Sequence, residues 1–272
     1  MAALATEATA HDLGKDGTAG MRQPQLSAGM SGVPAPRPTG EPHQASQLPD
    51  EVPKVALAGQ GRRAEPISGL SGAVAGRVPP GQYLQAALPV LHYGPVPGCD
   101  LRAWDLKVHG ATASAGEHRW TWEGFVALPH SEIVADFHCV TKFTVLGITW
   151  SGVTTAEVLR AAPPADSATH VMVWADYGYS ANLPLDVFGA PGTLLATHRE
   201  GSELQPEEGL PVRLVVPSRY GWKSVKWVRA IEYLVDDRRG FWEERGYHNG
   251  ADPWREQRYS YQEEHPADGP GQ

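Results

Sequence analysis

Aromatic residues are confined to one part of this chain. No Trp, Phe or Tyr occurs before Tyr83, whereas all nine Trp, nine Tyr and five Phe lie from Tyr83 onward. Aromatic side chains contribute the most buried area per residue to a core. A segment without them, written as GVPAPRPTGEPHQASQLPDEVPK, cannot bury enough apolar surface to offset its ordering entropy. The sequence therefore predicts a disordered Pro/Gly/Ala-rich extension over residues 1–82, one folded domain over 83–262 and a flexible tail over 263–272. The pair Arg62-Arg63 invites a twin-arginine export reading. The stretch that follows, AEPISGLSGAVAGRVPP, is short and broken by Gly, so a cytoplasmic location is expected and export is the alternative.

Within the domain, short strand patterns outnumber helices. WDLKVHG (Trp104 to Gly110) alternates Trp104, Leu106 and Val108 with polar residues, as a half-buried strand does. TWEGFVALP reads as a helix capped by Thr121 and stopped by Pro129, and TTAEVLRAA as a helix with a Thr154/Glu157 capping box. Strands are expected over Ser131 to His138, with Ile133, Val134 and Phe137 near the core, and over HVMVWAD, TLLATHRE, VRLVVP and VKWVRAIEYLV. The predicted class is a strand-dominated mixed α+β domain. The charged, aromatic segment after Val235 is expected to wrap onto it.

The formal net charge of −8 argues against nonspecific nucleic-acid binding and against an acidic membrane surface. No apolar run reaches the roughly 18–20 residues of a membrane span. Two cysteines allow one bridge at most and fit a reducing compartment. Cys139 ends an alternating strand, beside His138 and three residues before Lys142. Such a thiol can be a core filler, a nucleophile or a metal ligand, because neighbouring cations favour the thiolate. A zinc site fails on ligand count, since no Cys-x-x-Cys or His-x-x-x-His spacing occurs. The second cluster, PVRLVVPSRYGWKSVKWVRAIEYL, holds Arg213, Arg219, Lys223, Lys226 and Arg229 around a Gly turn. It is either a solvated basic turn or an anion receptor built from guanidinium, ammonium and backbone N–H groups.

Taken together, WDLKVHG, DFHCVT, PVRLVVPSRYGWKSVKWVRAIEYL and GFWEERGYHNGADPWREQRY resemble the sulfite oxidase-type molybdopterin-dependent oxidoreductases, in that family's order. The likeness is strongest to short bacterial sulfite oxidase-like members. It implies the sulfite oxidase molybdopterin-binding fold, with Cys139 as the molybdenum ligand. It also implies cofactor contacts at His92, Tyr93, Arg213, Gly221, Trp222, Lys223, Ser224 and Lys226. The implied activity is oxygen-atom transfer to or from a small sulfur compound, as in sulfite oxidation. A sulfoxide or N-oxide reductase and a non-catalytic molybdopterin- or phosphate-binding module are the alternatives. Where animal and plant sulfite oxidases follow the cysteine with Gly-Asn-Arg, this chain reads Val140-Thr141-Lys142-Phe143. Lys142 would then offer a mobile point charge to the substrate in place of a planar fork. Arg219 is a second candidate for attracting the substrate oxygen, and Tyr177 and Tyr179 are candidates to line the mouth. The resemblance also implies an external electron-transfer partner, a haem protein or similar, and a monomer without a dimerisation domain.

Overall fold

A computed structural model describes residues 72–263. The expectations for residues 1–71 and 264–272, the Arg62-Arg63 pair included, lie outside the described residues. In chain order come α1 (Gly72–Ala75), β1 (Tyr83–Leu84), β2 (Asp105–Gly110), β3 (His118–Thr121) and α2 (Trp122–Val126). Next are β4 (His130–His138), β5 (Phe143–Thr154), α3 (Thr155–Ala161), β6 (His170–Ala175) and β7 (Ser180–Pro184). Then follow α4 (Leu185–Phe188), β8 (Leu194–Arg199), β9 (Ser202–Glu203), β10 (Arg213–Val215) and β11 (Val228–Leu234). The expected strand-dominated α+β class is what forms.

Both longer helices begin where the sequence places their caps. Thr121 Oγ1 accepts from Gly124 N, and Thr154 Oγ1 accepts from Glu157 N, each at 3.3 Å. The Glu157 carboxylate turns forward to Arg160 at 2.6 Å. Neither helix exceeds two turns, so each depends on packing rather than on its own cooperativity. Phe125 and Val158, both 0% exposed, supply it.

The strands form two sheets. One is six-stranded, with β1, β5, β8 and β10 in line, β4 added to β5 and β9 to β8; the other is five-stranded in the order β3-β2-β11-β6-β7. Between them lies the main core, with Leu106, Val108, Val171, Val173 and Ile231 from one side and Val153, Leu195 and Leu214 from the other. A second cluster, on the other face of the six-stranded sheet, gathers Ala135, Cys139, Phe143, Trp150, Leu194, Leu204 and Val215.

β5 is buried at Phe143 to Val145 and then alternates, with Ile148, Trp150 and Gly152 buried and Thr149 and Ser151 half-buried between them. At its crossing with β8 the backbones nearly touch: a Cβ on Gly152 would stand 2.2 Å from the Leu195 carbonyl oxygen. The expectation for β4 needs one correction. Val134 is 69% exposed, while Ala135 is buried in the second cluster. The register of β4 on β5 shifts between Ala135 and Phe137, and a bulge of this kind re-aims the side chains beyond it. His138 and Cys139 are consequently both buried.

Packing begins ahead of Tyr83, with Val78 and Gln82 buried. After β11 the chain returns across the sheet ends, fastened by a buried ion pair. Lys223 Nζ lies 2.6 Å from Glu243 Oε1, with side chains 1% and 0% exposed. Trp222 Nε1 donates to the same oxygen at 2.8 Å, and Lys223 Nζ donates to Asn182 O and Oδ1, both at 2.8 Å. Burial lowers the Lys223 pKa, and the Glu243 charge opposes that shift. Removing one partner leaves a buried charge uncompensated, so Glu243→Leu should lose about 3–5 kcal/mol of unfolding free energy. Glu243→Leu with Lys223→Met should recover most of it. Urea denaturation of the double-mutant cycle checks this, and additive losses would refute the coupling.

Candidate active site

The site is built around the four-residue turn that joins β4 to β5. Cys139 N donates to Phe143 O at 2.8 Å, and Lys142 N closes the turn on Cys139 O at 3.0 Å. Lys142 takes a left-handed conformation, φ 78°, which residues other than glycine rarely adopt. Its side chain is exposed. Cys139 is 8% exposed and its Sγ lies 3.1 Å from the Thr141 hydroxyl. Burial pushes the thiol pKa up, while the Thr141 hydroxyl and the Arg258 charge pull it back.

This arrangement bears on one of the three roles open to the thiol, that of nucleophile. As a nucleophile it would need a base, but the neighbouring His138 turns its Nδ1 to Thr144 Oγ1 at 3.0 Å. Burial also lowers the His138 pKa. A protonated, buried thiol without a base is a poor nucleophile. Metal coordination displaces the proton outright, so the same burial is no obstacle to a ligand role.

A second group lies against the same core cluster. Arg213 is 3% exposed, its guanidinium stacks 4.9 Å from the Trp150 ring centroid, and its Nε has no hydrogen-bond partner. Its Nη1 donates to Glu208 O at 3.0 Å. Burial and the nearby Arg199 lower its pKa to about 10. Lys226 Nζ donates to Leu91 O at 2.7 Å and Glu207 O at 2.6 Å, both carbonyls rather than carboxylates. Burial first, then Arg213, lowers the Lys226 pKa to about 7. Arg199 pairs with the Glu208 carboxylate. Three cations thus crowd around Glu208, and the surplus positive charge suits a bound anion.

Aromatic rings wall one side of the turn. Val140, Trp242 and Tyr247 pack against a cluster of Tyr220, Trp222 and Ala251. Tyr220 and Trp222 stack at 5.3 Å, Trp222 and Trp242 each meet Tyr247 at 5.1 Å, and the Cys139 charge is felt at Tyr247. Tyr93 joins this wall through Phe241 at 5.0 Å and Trp242 at 5.7 Å, and His92 lies 5.7 Å from Trp227. Tyr179 donates to Trp222 O at 2.6 Å, and burial raises its pKa well above the usual phenol range.

Of the candidates, Arg213 lies over Trp150, a member of the cluster that holds Cys139; His92 and Lys226 lie at Trp227, Tyr93 at Phe241 and Trp242, and Tyr179 at Trp222. Other candidates are engaged elsewhere. Lys223 is held by Glu243 and Asn182, and Ser224 Oγ accepts from Val216 N at 3.0 Å. Gly221 lets Phe137 approach, since a Cβ there would stand 2.1 Å from the ring. Arg219 donates to its neighbour Ser218 O at 2.9 Å and lends its charge to the field at Lys223. Tyr177 is 66% exposed. Cys99 is exposed and free. A cavity of about 420 Å³, lined by His138, Asp136 and Trp254 among others, opens beside β4 without Cys139 in its wall.

Sequence reasoning did not single out Gln82, Tyr247 or Arg258. Gln82 Nε2 donates to Cys139 O at 3.1 Å, and Arg258 Nη1 donates to Val140 O at 2.7 Å. Their one signal was the aromatic, charged composition of the last segment, and for Gln82 there was none.

Among the described residues no group of three or more His, Cys, Asp and Glu could hold a metal ion. A metal at Cys139 would have to arrive with most of its ligands already supplied. The residues present fit such a group: a soft sulfur donor, an aromatic wall for a flat ring system, and a buried guanidinium with an unpartnered N–H beside surplus positive charge.

Comparison with known proteins agrees. The model of the oxidoreductase molybdopterin binding domain matches residues 93–242, more than half of the chain. The chain is 40% identical over 189 residues to YuiH of Bacillus subtilis, an uncharacterized oxidoreductase, covering 68% of this chain and 93% of that protein. It is 28% identical over 153 residues to the protein-methionine-sulfoxide reductase catalytic subunit MsrP of Campylobacter jejuni, covering 48% of this chain and 51% of MsrP. The sulfane dehydrogenase SoxCD of Paracoccus pantotrophus matches 53% of this chain and 41% of its own with a TM-score of 0.49 and 20% identity. The chain spans 93% of YuiH and about half of MsrP. Among the described residues no helix is long and apolar enough to cross a membrane. The chain belongs to the sulfite oxidase-type molybdopterin-binding oxidoreductases, and it is an enzyme of that family.

Proposed function

We propose that this enzyme is a molybdenum-dependent oxygen-atom transferase acting on a small sulfur compound, with a sulfoxide favoured over sulfite. The observation that carries the reading is a single buried thiol, Cys139, set between an aromatic wall and a region of surplus buried positive charge. When bound, the molybdenum cofactor supplies two-electron oxygen-atom transfer in either direction. Cys139 would hold the metal through its thiolate, with the Thr141 hydroxyl donating to the sulfur. Arg213 and Lys226 would receive the phosphate of the pterin, each charge-assisted hydrogen bond contributing about 1.5–3 kcal/mol. His92 and Tyr93 would border the pterin on the side of Trp227 and Trp242. An external redox partner, a haem protein or similar, would exchange the electrons.

The preference between substrates follows from charge. A sulfite dianion calls for several fixed cations at the metal, and here the Cys139 turn offers Arg258, already donating to Val140 O, and the exposed Lys142. Tyr220, Trp222, Trp242 and Tyr247 offer rings instead, which suit the neutral sulfoxide and apolar arm of a methionine sulfoxide. The methionine-sulfoxide reductase relative supports the same choice.

Elemental mass spectrometry of the full chain from a cofactor-producing host should find about one molybdenum per chain, a stoichiometry set by one thiolate ligand, and Cys139→Ser should abolish it. Methionine sulfoxide with a reduced viologen should turn over faster than sulfite with ferricyanide. A metal-free protein from a host that loads a control enzyme would overturn the cofactor reading, and faster sulfite turnover would overturn the substrate choice.

Lys226 gives a separate check. Its pKa falls from 10.5 to about 7 on folding, so between those values the unfolded chain holds the extra proton and stability rises with pH. Below about 7 the cost is fully present, and an anion that pairs with the ammonium offsets it there. Sulfate keeps its charge across this range. In cofactor-free protein it should raise Tm more at about pH 6 than at about pH 9, and Lys226→Met should remove the difference. Equal gains in both proteins at both pH values would show that Lys226 receives no anion.

A further inference from the structure

We infer that Gln82 and Arg258 are positioning residues that pin the Cys139 turn from the two ends of the domain, an inference that rests on Cys139 being the metal ligand. Consecutive carbonyls of the turn each take a buried side-chain donor. Gln82 Nε2 reaches Cys139 O at 3.1 Å, and Arg258 Nη1 reaches Val140 O at 2.7 Å. Gln82 is 3% exposed and Arg258 5%. No segment near the turn in sequence supplies either group.

Each pin is itself oriented. Gln82 Oε1 accepts from Thr144 Oγ1 at 3.2 Å, and Thr144 faces His138 Nδ1 at 3.0 Å, so the amide has its N–H end directed at the turn. Thr144 is 0% and His138 4% exposed. The Arg258 guanidinium lies 4.9 Å from the Tyr220 ring centroid, and its backbone N donates to Gln262 Oε1 at 2.9 Å. Glu256 stands 3.8 Å from Nη2, which makes no hydrogen bond. The cation adds a field that favours the thiolate.

The turn needs such pins for two reasons. Its closing residue, Lys142, holds a left-handed backbone that a non-glycine residue keeps only when the surroundings over-determine it. Its buried carbonyls also need partners that water would otherwise provide. A metal ligand must be held to within about 0.5 Å, and a hairpin tip fastened by its own backbone alone would not achieve that.

The test uses the two free cysteines of the full chain, made in a host that lacks the cofactor. Iodoacetamide labelling read by mass spectrometry gives the rate at Cys139 relative to exposed Cys99. Gln82→Glu keeps the side-chain shape and the acceptor for Thr144 but removes the donor. Gln82→Glu and Arg258→Leu should each raise the Cys139:Cys99 ratio, up to about tenfold, the effect of one lost hydrogen bond on local opening. Arg258→Lys, which retains a donor for Val140 O, should stay near wild type, and it serves as the comparison if Arg258→Leu does not fold. In molybdenum-loaded protein, Gln82→Glu should alter the Mo(V) electron paramagnetic resonance signal and lower kcat with KM unchanged, at full metal content. Unchanged labelling ratios and an unchanged Mo(V) signal would overturn the inference. Raised ratios in a chain that never binds molybdenum would overturn the metal reading alone, because the labelling requires no metal.

Discussion

A half-buried hairpin turn is the constraint on which this structure depends. Turns ordinarily lie at the surface because their carbonyl and N–H groups need water. The turn at Cys139 is covered over its first two residues, with Thr141 and Lys142 exposed, and each end of the domain lends it a donor: Gln82 from the segment before β1 and Arg258 from the segment after β11. The same two segments continue to other parts of the site. Leu91 gives its carbonyl to Lys226, and Tyr93 packs on Phe241 and Trp242. Wrapping by the chain ends therefore encloses the thiol and assembles the wall around it in one act.

The domain holds two kinds of buried cation, and they differ in what they can bind. Lys223 faces the carboxylate of Glu243 and two oxygens of Asn182, which saturates its three donors and makes it a fastener of the C-terminal segment. Arg213 and Lys226 donate to carbonyls; of the two carboxylates whose charge reaches Lys226, Glu207 and Glu208, the latter is paired with Arg199. A carbonyl offers a partial charge and a carboxylate a full one, so the second pair remains electrostatically unbalanced. The lowered pKa values of Arg213 and Lys226 have that imbalance, added to burial, as their cause.

How much of this was legible in the sequence depended on whether the relevant neighbours were close along the chain. Thr121 and Thr154 announced their helices because a cap acts within three residues. Cys139, Arg213 and Lys226 stood out because a cysteine at a strand end and a run of cations are local patterns. Val134 was misplaced because adjacent strand residues point to opposite faces, so it cannot share the core face of Ile133 and Ala135. β5 was passed over because Gly147 and Gly152 interrupt its apolar pattern. Gln82 and Arg258 lie 57 and 118 residues from their partners, at Cys139 and Val140, and nothing in their own surroundings marks them. The sequence likewise could not separate Lys223 from Lys226. Both sit in one basic run, and only the third dimension brings Glu243 to the first and leaves the second on carbonyls.

That separation bears on substrate choice. A site for a dianion would be expected to leave guanidinium or ammonium groups free near the thiol, as the region of Arg213 and Lys226 does for the proposed phosphate. Around the thiol itself the buried cation, Arg258, is directed to the backbone of the turn, and Lys142 is exposed. What packs around Val140 is indole and phenol, with the Tyr220 hydroxyl buried and lacking a partner of hydrogen-bonding geometry. A neutral S=O group carrying a carbon arm meets these requirements at once: it needs one donor for its oxygen and apolar surface for its arm. The distribution of charge, concentrated away from the thiol and diluted next to it, is the physical basis for the proposed preference.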